Sequence, residues 1–345
     1  MATLYETTSL IKTILKWGSI AIGGIIVLIL LYRGGRWLAT VIFPKKPDPP
    51  KVAFGKLPIV IFPDNISQTP FTYSIDTVSG TLGSFPDRAT VYKTDSPVPN
   101  LLNLQNARAS LTSTPFIGAE NKVTDTEYSW QDIKRDDKSL TMNIVSKDFT
   151  INGNYLTYPD LTPTVQINPE AAVTMVTKFL QDIGVYPLDF DETKTTTQLL
   201  NLNNTSLVAA TSVSDAELIR VDLFQKDLEK MPIMYDHPPF SSTHFLLGGA
   251  NTNEILEGSF THQGISDESS TYSIRSVNDA FNILKQNKAY IASYYGNRED
   301  ISIKNIYLAY YMSSQKQNYV MPIYVFEGKD GFYAYVSAVS DTWVH

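Results

Sequence analysis

The carboxy-terminal run Ile306-Tyr307-Leu308-Ala309-Tyr310-Tyr311 decides the class of fold, together with Met321-Pro322-Ile323-Tyr324-Val325-Phe326 and Tyr333-Ala334-Tyr335-Val336. These runs are rich in β-branched and aromatic residues and are separated by polar turns, which is typical of β-strands. The same pattern predicts the following strands: Leu57–Phe62, Phe71–Asp76, Ala89–Thr94, Leu140–Ile151, Leu218–Gln225, Ile303–Met312, Met321–Glu327 and Gly331–Val339.

Three stretches predict soluble helices: Leu102–Thr112, Pro169–Asp182 and Ser276–Asn287. Asn168 is a suitable N-cap for the second helix, because its side-chain oxygen can accept hydrogen bonds from the first free amides. Ser276 is the N-cap of the third helix. Few helices beside many strands predict an α+β fold in which helices pack on one face of antiparallel sheets.

The last two predicted helices are each followed by a strand, a polar turn and a Met-Pro-Ile run, at 231–233 and 321–323. This shared order predicts a repeated module of a helix packed on an antiparallel sheet. The expected organisation is therefore a cytoplasmic tail and membrane anchor at 1–44, a Pro-rich linker at 45–51, a β-rich module at 52–165, and two helix-plus-sheet modules at 166–265 and 266–345.

An apolar run near the amino terminus predicts a transmembrane helix that carries this body. Trp17 and Trp37 flank the run and are 20 positions apart, which spans roughly 30 Å in a helix, the hydrocarbon thickness of a bilayer. Arg33 and Arg36 lie near the second interface, where their long side chains can reach the headgroups. We therefore expect these four residues at the membrane interfaces.

Ser19 and Gly23 form a pair of small residues four positions apart, which makes them candidates for packing against a partner helix. Two sequence signals disagree about the orientation of the helix. Five basic residues follow the apolar run and two precede it, a bias that places the body in the cytoplasm. The body lacks cysteine and is rich in Asn, Thr, Ser and Tyr, which is typical of exported proteins. We favour an extracytoplasmic body.

The charge of the chain excludes several classes of function. Residues 1–51 carry seven basic and two acidic residues, a net charge of +5, whereas the rest carries 21 basic and 33 acidic residues, a net charge of −12. An acidic body is poorly suited to a phosphate backbone, so we do not predict nucleic-acid binding. The absence of cysteine excludes thiol catalysis and disulfides.

No motif predicts an enzyme, a cofactor site or a metal site. There is no Gly-x-Ser-x-Gly, no His-x₃-His and no nucleotide-binding glycine pattern. Arg220 and Asp222 share one face of a predicted strand and are expected to form a solvent-facing salt bridge. The alternative of catalytic carboxylates that come together only in the folded chain stays open.

Tyrosines are concentrated in the last 60 residues, and this density indicates either a protein interface or a core. Tyrosine suits interfaces because its rigid ring gives contact area and its hydroxyl keeps a polar group. Alternation places Tyr333 and Tyr335 on one face of their strand, so both faces of the sheet could also be covered. The candidate interface residues are Tyr310, Tyr311, Tyr324, Tyr333 and Tyr335.

The stretch Tyr272–Val339 is similar to the last domain of the YycI/YycH regulatory proteins and also resembles PepSY-type modules. The similarity lies in Ser276-Val277-Asn278-Asp279-Ala280, in the strand around Tyr310 and in the closing strand around Tyr335. It covers about a fifth of the chain. The resemblance implies an N-terminal membrane helix, an exported α+β body and non-enzymatic restraint of a membrane histidine kinase.

We therefore expect a single-pass protein of the cell membrane whose partners are the lipid bilayer and another envelope or membrane protein. Its expected role is binding or regulation through protein–protein contacts, for example of a sensor kinase. The alternatives are a structural subunit of a cell-surface assembly, which would dock through sheet edges, and an envelope hydrolase. The oligomeric state and the identity of the partner stay open.

Overall fold

The computed structural model describes residues 17–18, 22–35, 49–65, 70–154, 156, 168–203, 206–248 and 254–345. The chain divides into two compact units, Met1–Pro49 and Pro50–His345, which are treated separately below.

In the first unit, residues 17–18 and 22–35 are helical, and we call the second stretch α1. Among the described residues, no helix combines the length and the apolar character that crossing a bilayer requires. Trp17, Gly23 and Arg33 are exposed in this unit. Ser19, Arg36 and Trp37 lie outside the described residues, as does most of the Pro-rich linker.

The second unit contains the helices α2 (Asn103–Leu111), α3 (Pro169–Asp182) and α4 (Val277–Lys285). Its strands are β1 (Thr72–Ile75), β2 (Arg88–Thr94), β3 (Glu120–Lys122), β4 (Glu127–Gln131), β5 (Lys138–Asn143), β6 (Phe149–Gly153), β7 (Thr196–Asn203), β8 (Ser206–Ala209), β9 (Leu218–Leu223), β10 (Ile233–Met234), β11 (Thr243–Gly248), β12 (Glu254–Phe260), β13 (Ile265–Ser273), β14 (Tyr290–Ser293), β15 (Asp300–Tyr311), β16 (Tyr319–Gly328) and β17 (Tyr333–Ser337). The α+β class predicted from the sequence is confirmed.

The helix predictions agree closely with the structure, because the capping residues act as expected. Asn168 Oδ1 accepts hydrogen bonds from the amides of Glu170 and Ala171, at 3.0 and 3.2 Å. Ser276 Oγ accepts one from the amide of Asp279, at 3.2 Å. These side chains satisfy amides that have no partner within the helix.

The strands form two sheets. One sheet has nine antiparallel strands in the order β3-β4-β5-β6-β12-β11-β9-β7-β8. The other has eight strands, with β1-β15-β16-β17-β14 as its main path; β2 pairs with β16 and β13, and β10 pairs with β15. The pairs β1–β15 and β10–β15 are parallel, which departs from the all-antiparallel expectation.

Strands that are consecutive in the chain do not always belong to the same sheet. The nine-stranded sheet takes β3 to β6 from 52–165 and five further strands from 166–265, whereas β1 and β2 join the strands of 266–345. The module boundaries at 165 and 265 stay predictions. The two Met-Pro-Ile runs differ in pairing. The second run lies in the antiparallel β15–β16 hairpin. The first run contributes β10, which is not part of the nine-stranded sheet that contains β9 but pairs with Tyr310 and Tyr311 of the second sheet. The two runs therefore pair in different ways, and the repeated module stays a prediction.

Each sheet buries one face under helices. Residues of α2 and α3 pack with the inner face of the nine-stranded sheet, and α4 packs on the second sheet, where it contacts β17. The predicted strand Leu57–Phe62 is wrong as a strand. It forms one isolated bridge, from Leu57 to Val344, and continues as an extended segment whose Val60 and Phe62 pack on the other face of the second sheet.

Candidate functional site

The structure places four of the five candidate interface tyrosines inside the body. Tyr310, Tyr311, Tyr324 and Tyr335 are at most 1% exposed, and only Tyr333 keeps a partly exposed side chain. Partner contacts require accessible side chains, so the expectation that this set forms an interface is corrected for the four. Their burial agrees with the alternative, in which the tyrosines fill a core on both faces of the sheet.

The alternation predicted for the closing strand is confirmed, and it explains why both of its faces are buried. Tyr335 packs with Tyr290 and Tyr311 on the face that Phe62 covers. Ala334 and Val336 point to the opposite face, into the core that α4 completes. A strand covered on both faces offers a partner none of its central side chains.

The hydroxyl of each of these four buried tyrosines has a polar partner, which offsets the cost of burying it. Tyr310 donates to the carbonyl of Thr90 at 3.0 Å, Tyr324 to Arg275 at 2.9 Å and Tyr335 to Tyr235 at 3.1 Å. Burial raises the pKa of Tyr324 to about 12, and the hydroxyls stay protonated donors at physiological pH.

A buried carboxylate joins the first Met-Pro-Ile segment to the second sheet. Asp236 is 6% exposed; it accepts a hydrogen bond from the Tyr311 hydroxyl and one from the amide of Ser314, the latter at 3.0 Å. Tyr290 donates to the Asp236 carbonyl at 2.8 Å. Burial, and then the contact with Asp236, raises the pKa of Tyr311. This network holds the core together and lies away from solvent.

The nine-stranded sheet carries an apolar cluster on the face opposite α2 and α3, and this cluster is buried except toward β8: Leu200, Leu218, Leu246 and Leu256 are at most 5% exposed, whereas Leu207 is 37% exposed. Leu200, Leu218, Leu246 and Leu256 form a separate cluster there, with Leu202 packed against it, and no residue of a described helix belongs to this cluster. Leu207 of β8 borders the same region. We call these six leucines the leucine face.

Strand register brings polar side chains into line beside the leucine face. Gln198, Arg220, Leu246 and Glu257 are successive cross-strand neighbours on β7, β9, β11 and β12, so their side chains point to the same side of the sheet. Arg220 and Glu257 are two strand spacings apart, about 10 Å. A cleft of about 270 Å³ lies among these residues, with Phe240 and His244 also in its wall.

Arg220 is held in place on two sides. Its guanidinium donates to both carboxylate oxygens of Asp222, at 2.8 and 2.9 Å, and lies 4.6 Å from the ring centre of Phe240. Asp222 is 2% exposed and also accepts from the amide of Ser241 at 2.9 Å. The pair predicted from the sequence exists, but the prediction that it faces solvent is wrong for Asp222.

Burial shifts the pKa values of two titratable groups of the cleft. Burial raises the pKa of the Glu257 carboxyl, and the charge of Arg220 opposes this shift only in part. Burial, and then the charge of Arg220, lowers the pKa of His244. Within the described part of the chain, no Lys, Arg or His nitrogen lies within 4.0 Å of the Glu257 carboxylate. Glu257 is therefore a half-buried carboxylate beside apolar walls.

Sequence reasoning missed this site apart from Arg220 and Asp222. The usable signal was the pair of leucine-containing strands around 199–202 and 245–247, whose outward residues are apolar. Because β11 and β12 also carry His244, Gly248, Glu257 and Gly258, these strands lack the enrichment in β-branched and aromatic residues by which the other strands were predicted.

No protein-family model matches the chain, and no curated protein matches it. Among solved structures, an uncharacterized protein from Eubacterium rectale is 12% identical, with a TM-score of 0.40 over 75% of this chain and 84% of that chain. The C-terminal domain of YpeB from Bacillus megaterium is 15% identical, with a TM-score of 0.31 over 71% of this chain and 95% of that chain. Similarity at this level carries no argument about family or function.

Proposed function

We propose that this chain is a membrane-anchored, extracytoplasmic binding or regulatory protein that acts through protein–protein contacts, without enzymatic activity, and that its contact surface is the exposed β8 end of the leucine face, at Leu207. The observation that carries the proposal is that this sheet face stays apolar up to its β8 edge, where Leu207 and Val208 are 37% and 40% exposed. Arg220, stacked on Phe240 in the adjoining cleft, is a residue type that interfaces favour.

The polarity of the sheet supports this choice of surface. Toward β6, the outward residues on the same side are Thr150 and Asn152, which are exposed and polar. Toward β8, they are leucines, and Leu207 is 37% exposed. A partner that buried the β8 half would remove apolar surface from water, whereas the β6 half would gain little from burial.

The anchor, the orientation and the kind of partner are further parts of the proposal. They are supported by the apolar run after Trp17 and by the resemblance of Tyr272–Val339 to the YycI/YycH proteins, which favours a sensor kinase or another membrane protein as partner. Orientation can be tested with Ser314→Cys, because the native chain has no cysteine and Ser314 is exposed. Labelling of intact cells by an impermeant maleimide is expected; labelling only after lysis would refute an external body.

The contact surface can be tested by photo-crosslinking in cells that express the full chain. A photoreactive residue is placed at Leu207 of the leucine face or at Gln198 beside it, and at Thr150 or Asn152 as controls on the polar half of the same sheet side. We expect a discrete adduct with another envelope protein from the first two positions and none from the controls.

Adducts of equal yield from both halves, or none from Gln198 and Leu207, would refute the leucine face as the contact surface. A ladder of adducts that contain only this chain would instead support a structural subunit of a surface assembly. The two outcomes are separated by the mass and composition of the crosslinked bands.

A further inference from the structure

The two edges of the nine-stranded sheet differ in how they are protected. At one edge, β3 carries Glu120 and Lys122, which form ion pairs with Arg108 at 2.7 Å and with Asp125 at 2.9 Å. Charged side chains on an edge strand hinder pairing with another chain. At the other edge, β8 reads Ser206-Leu207-Val208-Ala209, with no charge and no proline, and all four residues are exposed.

In the second sheet, the backbone groups of one edge are capped by a side chain. At its β14 end, Asn65 takes the place of a neighbouring strand: Asn65 Oδ1 accepts from the amide of Ile291 at 2.7 Å, and its amide group donates to the carbonyl of Ala289 at 3.4 Å. Among the described residues, no hydrogen bond from outside β7 reaches the backbone of β8. β8 therefore has neither the charges of β3 nor the cap of β14.

The β7–β8 register shows which backbone groups are free. The amide of Ala210 donates to the carbonyl of Leu199 at 2.9 Å, and Asn201 faces Val208 two residues further along. In an antiparallel ladder the bonded pairs alternate, so Val208 bonds to β7 whereas the amides and carbonyls of Leu207 and Ala209 point away from the sheet. These groups can form a new ladder with an added strand.

The same two residues connect the edge to the leucine face. Leu207 and Ala209 border the cleft, so the side chains of a strand added beside β8 would extend the apolar surface at every second position. Strand addition would thus satisfy backbone groups and bury apolar side chains in one step.

The occupant is better matched by another protein than by a second copy of this chain. Residues 52–345 carry a net charge of −12, so two bodies repel each other, and a basic segment is attracted. A pair of four-residue strands also buries much less than the roughly 800 Å² per partner of a stable interface. A segment that also covers the leucine face meets that requirement more readily.

We propose that β8 takes up an extended segment of a partner protein by strand addition, and that this segment has apolar residues at alternate positions and basic residues at its ends. This inference rests on the proposed function, since it specifies how a partner reaches the leucine face. It adds a backbone requirement that docking on the face alone does not have.

The test uses the full chain in detergent micelles and a displayed library of random twelve-residue peptides. Peptides enriched on the unaltered chain are then measured against Ala209→Pro, which removes an outward amide while leaving the β7 ladder intact, and against Ala209→Ser as the matched control. We expect enriched peptides with alternating apolar and terminal basic residues, about tenfold or greater weakening by Ala209→Pro, and little change with Ala209→Ser. Equal urea midpoints of the two variants verify their folding.

Hydrogen exchange gives a second readout, because strand addition alone predicts slower exchange of the Leu207 and Ala209 amides in the peptide complex. No enrichment, or full binding to Ala209→Pro, would overturn strand addition. If the peptides bind the Ala209→Pro variant but not the Phe240→Ala variant, strand addition is overturned, and docking on the leucine face without a backbone ladder is supported instead. Self-association of the chain that Ala209→Pro abolishes would also overturn it, because the occupant would then be a second copy.

Discussion

Replacing the Tyr311 hydroxyl is expected to destabilise the body more than replacing the hydroxyl of its neighbour. Both Tyr310 and Tyr311 are at most 1% exposed, so Tyr→Phe leaves their ring packing nearly unchanged. Tyr310 donates to a neutral carbonyl, a bond worth about 1 kcal/mol, whereas Tyr311 donates to the Asp236 carboxylate, where about 2 kcal/mol is typical. Tyr311→Phe leaves that buried carboxylate with the Ser314 amide as its other partner.

The measurement is urea unfolding of the full chain, followed by tryptophan fluorescence, with the two variants compared under one set of conditions. A double-mutant cycle with Asp236→Asn isolates the pair: Tyr311→Phe should cost about 1 kcal/mol less when the carboxylate is absent. The reasoning is refuted if Tyr311→Phe costs no more than Tyr310→Phe, or if the cycle shows no coupling.

Three further predictions concern charge and capping. Lys138 is 3% exposed and pairs with two carboxylates; Lys138→Met should cost about 3–5 kcal/mol, and the exposed control Lys178→Met at most about 0.5 kcal/mol, both from urea midpoints. Burial raises the pKa of Glu257, so its carboxyl holds a proton more tightly in the folded chain, and stability falls as pH rises through the folded pKa. The Glu257→Gln variant should therefore have a higher free energy of unfolding than the unaltered chain at pH 7, and the difference should vanish at pH 4. An equal difference at the two pH values would contradict the raised pKa. Asn168→Ala should cost about 1 kcal/mol by loss of the cap, and an unchanged midpoint would show that packing alone holds α3.

Local signals predicted the helices well because the relevant physics is local. Asn168, Pro169 and Gly184 mark both ends of α3, and the helix spans the predicted residues. The strands at 89–94 and 321–327 were found because each is dense in residues that suit a sheet. Leu57–Phe62 has the same composition, but it runs across the face of a sheet instead of pairing within it. Composition identified an extended segment there and could not tell pairing from packing.

Pairing partners depend on contacts between distant parts of the chain. The run at 231–233 matches the run at 321–323 in sequence, yet the first forms a two-residue parallel pair with Tyr310 and Tyr311, and the second lies within an antiparallel hairpin. Pro232 removes a donor in the first run, as Pro322 does in the second, so neither proline indicates the direction of pairing. In the folded chain, the first run is held beside β15 by hydrogen bonds from the amides of Tyr310 and Met312 to the carbonyls of Pro232 and Met234, and by the Tyr311–Asp236 hydrogen bond.

The same argument explains why tyrosine density did not locate the contact surface. Burial of a tyrosine is costly unless its hydroxyl finds a partner. Here the partners of Tyr310 and Tyr335 are the carbonyls of Thr90 and Tyr235, 220 and 100 residues away in the chain. No local sequence pattern indicates such a distant carbonyl, so the sequence alone does not distinguish exposed tyrosines from buried ones. Four of the six leucines are buried as deeply as these tyrosines, at 5% exposure or less. The leucine face nevertheless ends at an exposed strand, β8, where Leu207 and Val208 are 37% and 40% exposed. On physical grounds, partner binding is therefore better sought at β8 than at the tyrosines.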